Sequence, residues 1–193
     1  AVVDLARDQH PGERVADVIV RRRDLRQPVS RNLPAIRGRR ITGVGRRSKY
    51  LLLAIDDGCT LLVHLGMSGN LRVASPADPW KTHDHVGVTL ANGRQLRFHD
   101  PRRFGLVLRL RGDPMAHRLL AHLGPEPLGD RFTPAHLAAA CATRTAAIKS
   151  VIMDARVVAG VGNIYASEAL FRAGIRPQTA ASRLSSPRLA RLA

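Results

Sequence analysis

Val86-Gly87-Val88-Thr89-Leu90, Ala91-Asn92-Gly93-Arg94 and Gln95-Leu96-Arg97-Phe98 form the stretch whose reading decides the fold. Two short runs rich in β-branched and apolar residues flank an Asn-Gly pair, which is the strongest hairpin signal in the chain, because this pair tolerates the left-handed backbone a tight turn needs. Working outward, Asp57-Gly58 joins Tyr50–Ile55 to Thr60–His64 in the same way. Val15–Val20 and Ile41–Val44 are further short aliphatic runs. On the carboxy-terminal side Phe104 to Arg111 alternates. Leu106, Leu108 and Leu110 take one face and Val107, Arg109 and Arg111 the other, which predicts a half-buried strand with a basic outer face. Roughly eight short strands with tight turns predict a β-sandwich.

Beyond these strands the texture changes. Gly112 to Asp130 is rich in proline and glycine and reads as a connection. Thr133-Pro134 then predicts an N-cap with proline at the first helical position, opening a helix to about Ala142. Thr145–Met153 reads as a second helix, and Gly160-Val161-Gly162 as a turn. Asn163 is expected to cap a third helix that ends near Ala173 at Gly174. Ser186-Pro187 opens a fourth, and Val2 to Asp8 reads as part of a short helix at the start. The expected fold class is α+β: an amino-terminal β-sandwich domain over residues 1–116, followed by a helical domain over 117–193.

The composition bounds the partners. The chain has 193 residues with 45% apolar residues, enough to build a core, and a formal net charge of +16. Such a charge strains an isolated fold by self-repulsion and suits a polyanion, nucleic acid first. No long apolar run supports a membrane. Cys59 and Cys141 form no Cys-x-x-Cys pair, so no zinc ribbon is expected within the chain. Two thiols fit a reducing cytoplasm. Of the 31 cationic residues only Lys49, Lys81 and Lys149 are lysine. Where arginine serves for charge, a retained lysine points to amine chemistry, against the bland reading of chance survival.

Several residues carry candidate chemistry. Lys49 follows Arg46-Arg47-Ser48 at the start of a strand, so like charges are expected to lower its pKa and let it exchange protons near neutrality. Met67, Arg102 and Phe104 are the types that fill a gap in a duplex once a base is rotated out; the bland reading makes the first and last core residues. Gly162-Asn163 opening a helix is an anion site of backbone N–H groups, or plain capping. Alternation puts His83 and His85 on one face, which permits chelation, but no third ligand is near in sequence and a DNA contact is favoured.

Two sets of strings go together. One is His64-Leu65-Gly66-Met67-Ser68-Gly69 with Asp100-Pro101-Arg102-Arg103-Phe104-Gly105; the other is Ile148-Lys149 with Val161-Gly162-Asn163-Ile164-Tyr165-Ala166-Ser167-Glu168. Together they resemble the bacterial formamidopyrimidine-DNA glycosylase family, over nearly the whole chain. The resemblance implies a helix–two-turn–helix element in the helical domain. It implies base-excision repair: removal of oxidised purines such as 8-oxoguanine and formamidopyrimidines from duplex DNA, then β/δ-elimination at the abasic site. It also implies Lys49 as proton donor in elimination, Met67, Arg102 and Phe104 as void fillers, and His83, Arg102, Arg144, Lys149 and Asn163 as DNA-binding residues. The family attacks with an amino-terminal proline followed by glutamate and usually carries a carboxy-terminal zinc finger. Neither lies between Ala1 and Ala193. Both domains are therefore expected to be truncated, with no cofactor held in this stretch and, should it be the whole polypeptide, DNA binding without turnover. The expected partner is double-stranded DNA with oxidised bases or abasic sites, bound by a monomer in the bacterial cytoplasm. Endonuclease VIII-like enzymes acting on oxidised pyrimidines, a non-catalytic duplex-binding module and an RNA-binding protein stay open. The 4% aromatic content counts against the last.

Overall fold

A computed structural model describes residues 12–193, so the helix expected over Val2–Asp8 lies outside the described residues. Tertiary contacts divide the chain into two compact units, one ending at Pro114 and the other starting at Met115.

Among its described residues the first unit holds eight antiparallel strands: β1 (Val15–Val20), β2 (Ile41–Arg47), β3 (Tyr50–Ile55), β4 (Cys59–His64), β5 (Asn70–Ala74), β6 (Asp84–Leu90), β7 (Gln95–His99) and β8 (Leu106–Arg111). They form two four-stranded sheets, β1-β6-β7-β5 and β2-β3-β4-β8. One apolar cluster draws on both, with Val18, Leu71, Val88, Leu96 and Phe98 from the first and Leu51, Leu53, Leu61, Val63 and Val107 from the second. The sheets thus pack face to face as a sandwich. A 3-10 turn at Leu33–Ile36 adds Leu33 and Ile36 to the same core.

Both hairpins foreseen from Asx-Gly pairs use one device. Gly58 and Gly93 take φ of 75° and 80°, and the side chains of Asp57 and Asn92 accept the N–H two residues on, from Cys59 and Arg94. A turn followed by a left-handed glycine is the usual three-residue hairpin connection. Strand β5 was not read from the sequence, because Asn70-Leu71-Arg72-Val73-Ala74 mixes polar and apolar residues without a bounded run.

Strand β8 corrects an expectation. Its supposed basic outer face is outer only at Arg111, the exposed last residue: Val107 belongs to the sandwich core, and Arg109, on the same side by alternation, is buried. Its guanidinium meets Asp57 at 2.5 Å, and its N–H donates to Ser30 Oγ. Leu106, Leu108 and Leu110 are buried on the opposite face. A strand covered on both sides has no solvent face for its alternation to mark, so the Leu/Arg pattern here does not say which side is the core.

The sheet β1-β6-β7-β5 buries charge as well. Asp84 is fully enclosed and accepts from Arg72 (2.5 Å), His99 (2.9 Å) and the Lys81 N–H (2.9 Å). Arg97 is fully buried, donates to Gln95 and to the carbonyls of Pro79, Ser75 and Asp78, and stacks 4.5 Å from Trp80. Gly87, opposite Arg97 in the register, leaves the space: a Cβ there would come within 2.5 Å of the Trp80 ring. These bonds anchor the loop that leads into His83.

The second unit holds four helices: α1 (Pro134–Cys141), α2 (Ile148–Met153), α3 (Asn163–Arg172) and α4 (Ser186–Leu192). Thr133 caps α1 as expected, accepting the His136 N–H at 3.1 Å. Helix α2 starts three residues later than the sequence suggested. The preceding residues pair elsewhere: Ala147 bridges to Ala180, and the Ile148 N–H reaches Thr179. Asn163 does not cap α3. The N-cap is Gly162, without a side-chain bond, and Asn163 is the first helical residue; Gly174, at φ 65°, follows the helix end. Leu137, Cys141, Ile148, Val151, Ile152, Ala166, Leu170 and Leu189 share one core.

Candidate nucleic-acid interface

In the first unit Lys49 sits at the tip of the β2–β3 hairpin, where Arg47 pairs with Tyr50. Ser48 before it takes φ 55°, and its carbonyl accepts from Arg46 at 2.8 Å. Lys49 is exposed and lines a cavity of about 380 Å³ together with Arg26, His64, Gly66, Met67 and Phe104. Three residues that can carry positive charge thus border the same space as two apolar side chains.

His64 ends β4 opposite Tyr50, with the rings 4.9 Å apart. Burial pushes its pKa below the ordinary value, and the charges of Arg26 and Lys49 push the same way against a smaller pull from Asp100. Its Nδ1 accepts the Gly66 N–H at 2.9 Å, which in the neutral ring leaves the proton on Nε2. An anion arriving in the cavity would favour the charged imidazole.

Met67 is 73% exposed and Phe104 50% exposed. Neither is a core residue, so the bland reading of both fails. Exposed apolar side chains beside cations suit stacked bases next to phosphates. Arg102 joins them: its Nε donates to Ser68 Oγ at 3.2 Å, and its guanidinium lies 5.6 Å from the Phe104 ring. The two sequence motifs are interlocked. A Cβ on Gly66 would approach the Gly105 N–H nitrogen to 2.7 Å, so only glycine allows the loops this close. Asp100, fully buried, fixes the second loop by accepting the Gly105 N–H at 2.7 Å, and its own carbonyl accepts from His85 Nε2 at 2.8 Å.

His83 lies just before β6 and is exposed, whereas His85 is buried with Nε2 committed to that carbonyl. The two therefore do not form the chelating pair that alternation allowed. Among the described residues no group of three or more His, Cys, Asp or Glu is placed to hold a metal, and Cys59 and Cys141 are each buried in a different unit. These residues do not fit a zinc site.

In the second unit the first backbone bond of α3 runs from the Ala166 N–H to Gly162, so the N–H groups of Asn163, Ile164 and Tyr165 precede the ladder at the positive end of the helix. Lys149 on α2 donates to Ser167 Oγ at 3.0 Å, and Ser167 Oγ donates to the Asn163 carbonyl at 2.9 Å, which brings the ammonium to this first turn. Arg144 pairs with Asp154 at 3.1 Å. That bond, with a larger contribution from the Arg156 N–H, holds the Asp154 carboxyl below its usual value against burial.

Arg26 and His64 were missed as site residues by the sequence reading. His64 had a signal, as the first residue of a quoted motif. Arg26 had none, because it lies in an aperiodic basic loop whose place is set by the Arg26 N–H bond to the Gly105 carbonyl (3.2 Å).

Two family models match the chain. The formamidopyrimidine-DNA glycosylase N-terminal domain covers residues 1–107, and the H2TH domain of the same glycosylase covers 123–193. The formamidopyrimidine-DNA glycosylase of Teredinibacter turnerae is 52% identical over 95% of this chain and 67% of its own length. That of Syntrophotalea carbinolica is 55% identical over 94% of this chain and 67% of its own. Among solved structures, the Lactococcus lactis glycosylase bound non-covalently to DNA with an abasic site superposes with a TM-score of 0.90 at 28% identity, covering 98% of this chain and 72% of that one. The Thermus thermophilus protein gives 0.85 at 37% identity, covering 99% and 68%. Fold and family models together define a DNA-repair glycosylase, with a β-sandwich that offers apolar and cationic side chains and a helical unit that offers a helix N-terminus. The chain belongs to the formamidopyrimidine-DNA glycosylase family.

Proposed function

We propose that this protein removes oxidised purines from duplex DNA and cleaves the strand at the resulting abasic site, acting as a monomer in the bacterial cytoplasm. The observation that carries this reading is the exposed trio Met67, Arg102 and Phe104 beside the cavity lined by Arg26, Lys49 and His64. A base that is to be cut from its sugar must leave the stack, and the gap must be filled or the duplex recloses. Phe104 is the wedge, Met67 the flexible filler, and Arg102 can bond the orphaned partner base. Lys49 then gives a proton during elimination of the phosphate from the abasic sugar. His83, Arg144, Lys149 and Asn163 hold phosphates of the flanking duplex, Asn163 with the N–H groups of the first turn of α3. No helix among the described residues is long and apolar enough to cross a membrane.

The test is excision by the full-length polypeptide on two duplexes of one sequence, one with 8-oxoguanine and one with an oxidised pyrimidine. Faster release and strand cleavage on the first are expected. Preference for the second moves the protein to the pyrimidine reading. Binding to both without cleavage makes it a non-catalytic module.

A further inference from the structure

Among the described residues only two that are not glycine take a positive φ, Ser48 at 55° and Arg103 at 59°. Both lie at the site: Ser48 precedes Lys49, and Arg103 stands between Arg102 and Phe104. A left-handed backbone is unfavourable for a residue with a Cβ, and it persists only where the surroundings hold it. For Arg103 the holding groups are visible. Its N–H donates to the Asp100 carbonyl at 3.2 Å, and its guanidinium meets Asp24 Oδ2 at 2.5 Å. Asp24 also pairs with Arg22 at 2.7 Å, and these partners hold its carboxyl down at about 2, so it is ionised whenever DNA binds. Asp24 belongs to the loop of Arg26, which is itself tied to the Gly105 carbonyl.

The left-handed residue Arg103 lies between Arg102 and Phe104, whose side chains meet as a cation over a ring, 5.6 Å apart. Buried Asp100 fixes the ends of this loop, and its crest is held from outside at two points, Arg102 by Ser68 Oγ and Arg103 by the loop that carries Asp24. We propose that Asp24 and Arg103 form a latch that positions the Arg102–Phe104 wedge for an opened duplex; they are positioning residues and not DNA contacts. The proposal rests on the void-filling reading above.

The two roles of Arg103 make opposite forecasts for Asp24. If Arg103 served as a phosphate contact, removing the neighbouring carboxylate would release its charge and tighten DNA binding. If the pair is a latch, removing either partner loosens the wedge. The measurement is the dissociation constant of the chain for an abasic-site duplex and for the same duplex undamaged, by anisotropy, for the parent, Asp24→Ala, Arg103→Ala and the double variant. Thermal melting by circular dichroism runs beside it; the partners are half-exposed, so unchanged melting is expected.

A latch lowers the preference for the abasic duplex by about ten-fold in either single variant and no further in the double, as coupled partners behave. The swap Asp24→Arg with Arg103→Asp should restore part of it. Tighter binding by Asp24→Ala, or additive losses equal on both duplexes, overturns the latch. Loss of melting in both single variants also overturns it, since the pair would then be a fold element. A parent without abasic preference sinks the void-filling reading itself and the latch with it; a parent with preference and variants that keep it sink the latch alone.

Discussion

At the residue scale, the cavity-side groups can be told apart by what each substitution spares. Phe104→Ala and Met67→Ala remove exposed side chains, so folding should be unaffected. Their work begins only when a base has left the stack. Affinity for an abasic duplex should fall on the order of ten-fold more than for an undamaged one; equal losses on both would leave them as ordinary contacts. Lys49→Arg keeps the charge and should keep affinity, but a guanidinium does not give up its proton near neutral pH. Single-turnover cleavage of an 8-oxoguanine duplex by the full-length polypeptide should slow, with binding unchanged. His64 supplies a pH test. Its folded pKa lies below the ordinary 6.5, so the neutral ring prevails at neutral pH and the stability this gives is lost as pH falls from about 6.5 through the folded value. Phosphate in the cavity opposes that shift. Duplex binding should therefore take up a proton and strengthen from pH 7.5 toward 6, and His64→Asn should flatten that slope.

At the element scale, the buried pair between β8 and the β3–β4 turn is the sharpest case. Burial raises the Asp57 carboxyl, but the bonds from Arg109 and the Cys59 N–H outweigh it and hold it below its ordinary value. Asp57→Asn leaves the Arg109 guanidinium enclosed without its counter-charge, and should cost roughly 3 kcal/mol in urea unfolding. Thr133→Ala removes a single capping bond from α1 and should cost about 1 kcal/mol in the same measurement. A reversed order of these two would mean that Arg109 finds solvent when its partner is lost.

At the scale of the whole molecule, charge governs both binding and acid stability. With a formal net charge of +16, neutralising about five phosphates should give a slope of about −4 to −5 for log affinity against log salt. A flat response in an anisotropy titration would remove electrostatics from the account. Of the basic residues assigned to the outer face of β8, Arg109 does not contribute, since it is internal, while Arg111 stays exposed. Asp57 and Asp84 both titrate below the ordinary 3.8 in the folded chain. Their contribution is complete above that value and disappears as pH falls through the depressed ones, so an acid transition is expected below about pH 4. Asp84, with burial opposed by Lys81 N–H, His99 and Arg72, should dominate it.

The sequence by itself determined the local elements and the family. The Asx-Gly hairpins, the Thr133 cap and the glycine after α3 are short-range choices written in adjacent residues, and the motif strings need no folding to be read. It named Met67, Arg102, Phe104 and Lys49 as candidates, because residue type limits the chemistry. Tertiary structure alone decided the faces and the neighbours. Which side of β8 is interior depends on what covers each sheet, and a strand buried on both faces hides that. That Arg97 is enclosed depends on Trp80 folding back over it, and that Arg26, His64 and Lys49 share a cavity depends on loops distant in sequence closing on Gly66 and Gly105. Such contacts leave no periodicity in the chain, since they are fixed by packing between segments and not by the propensity of any one of them.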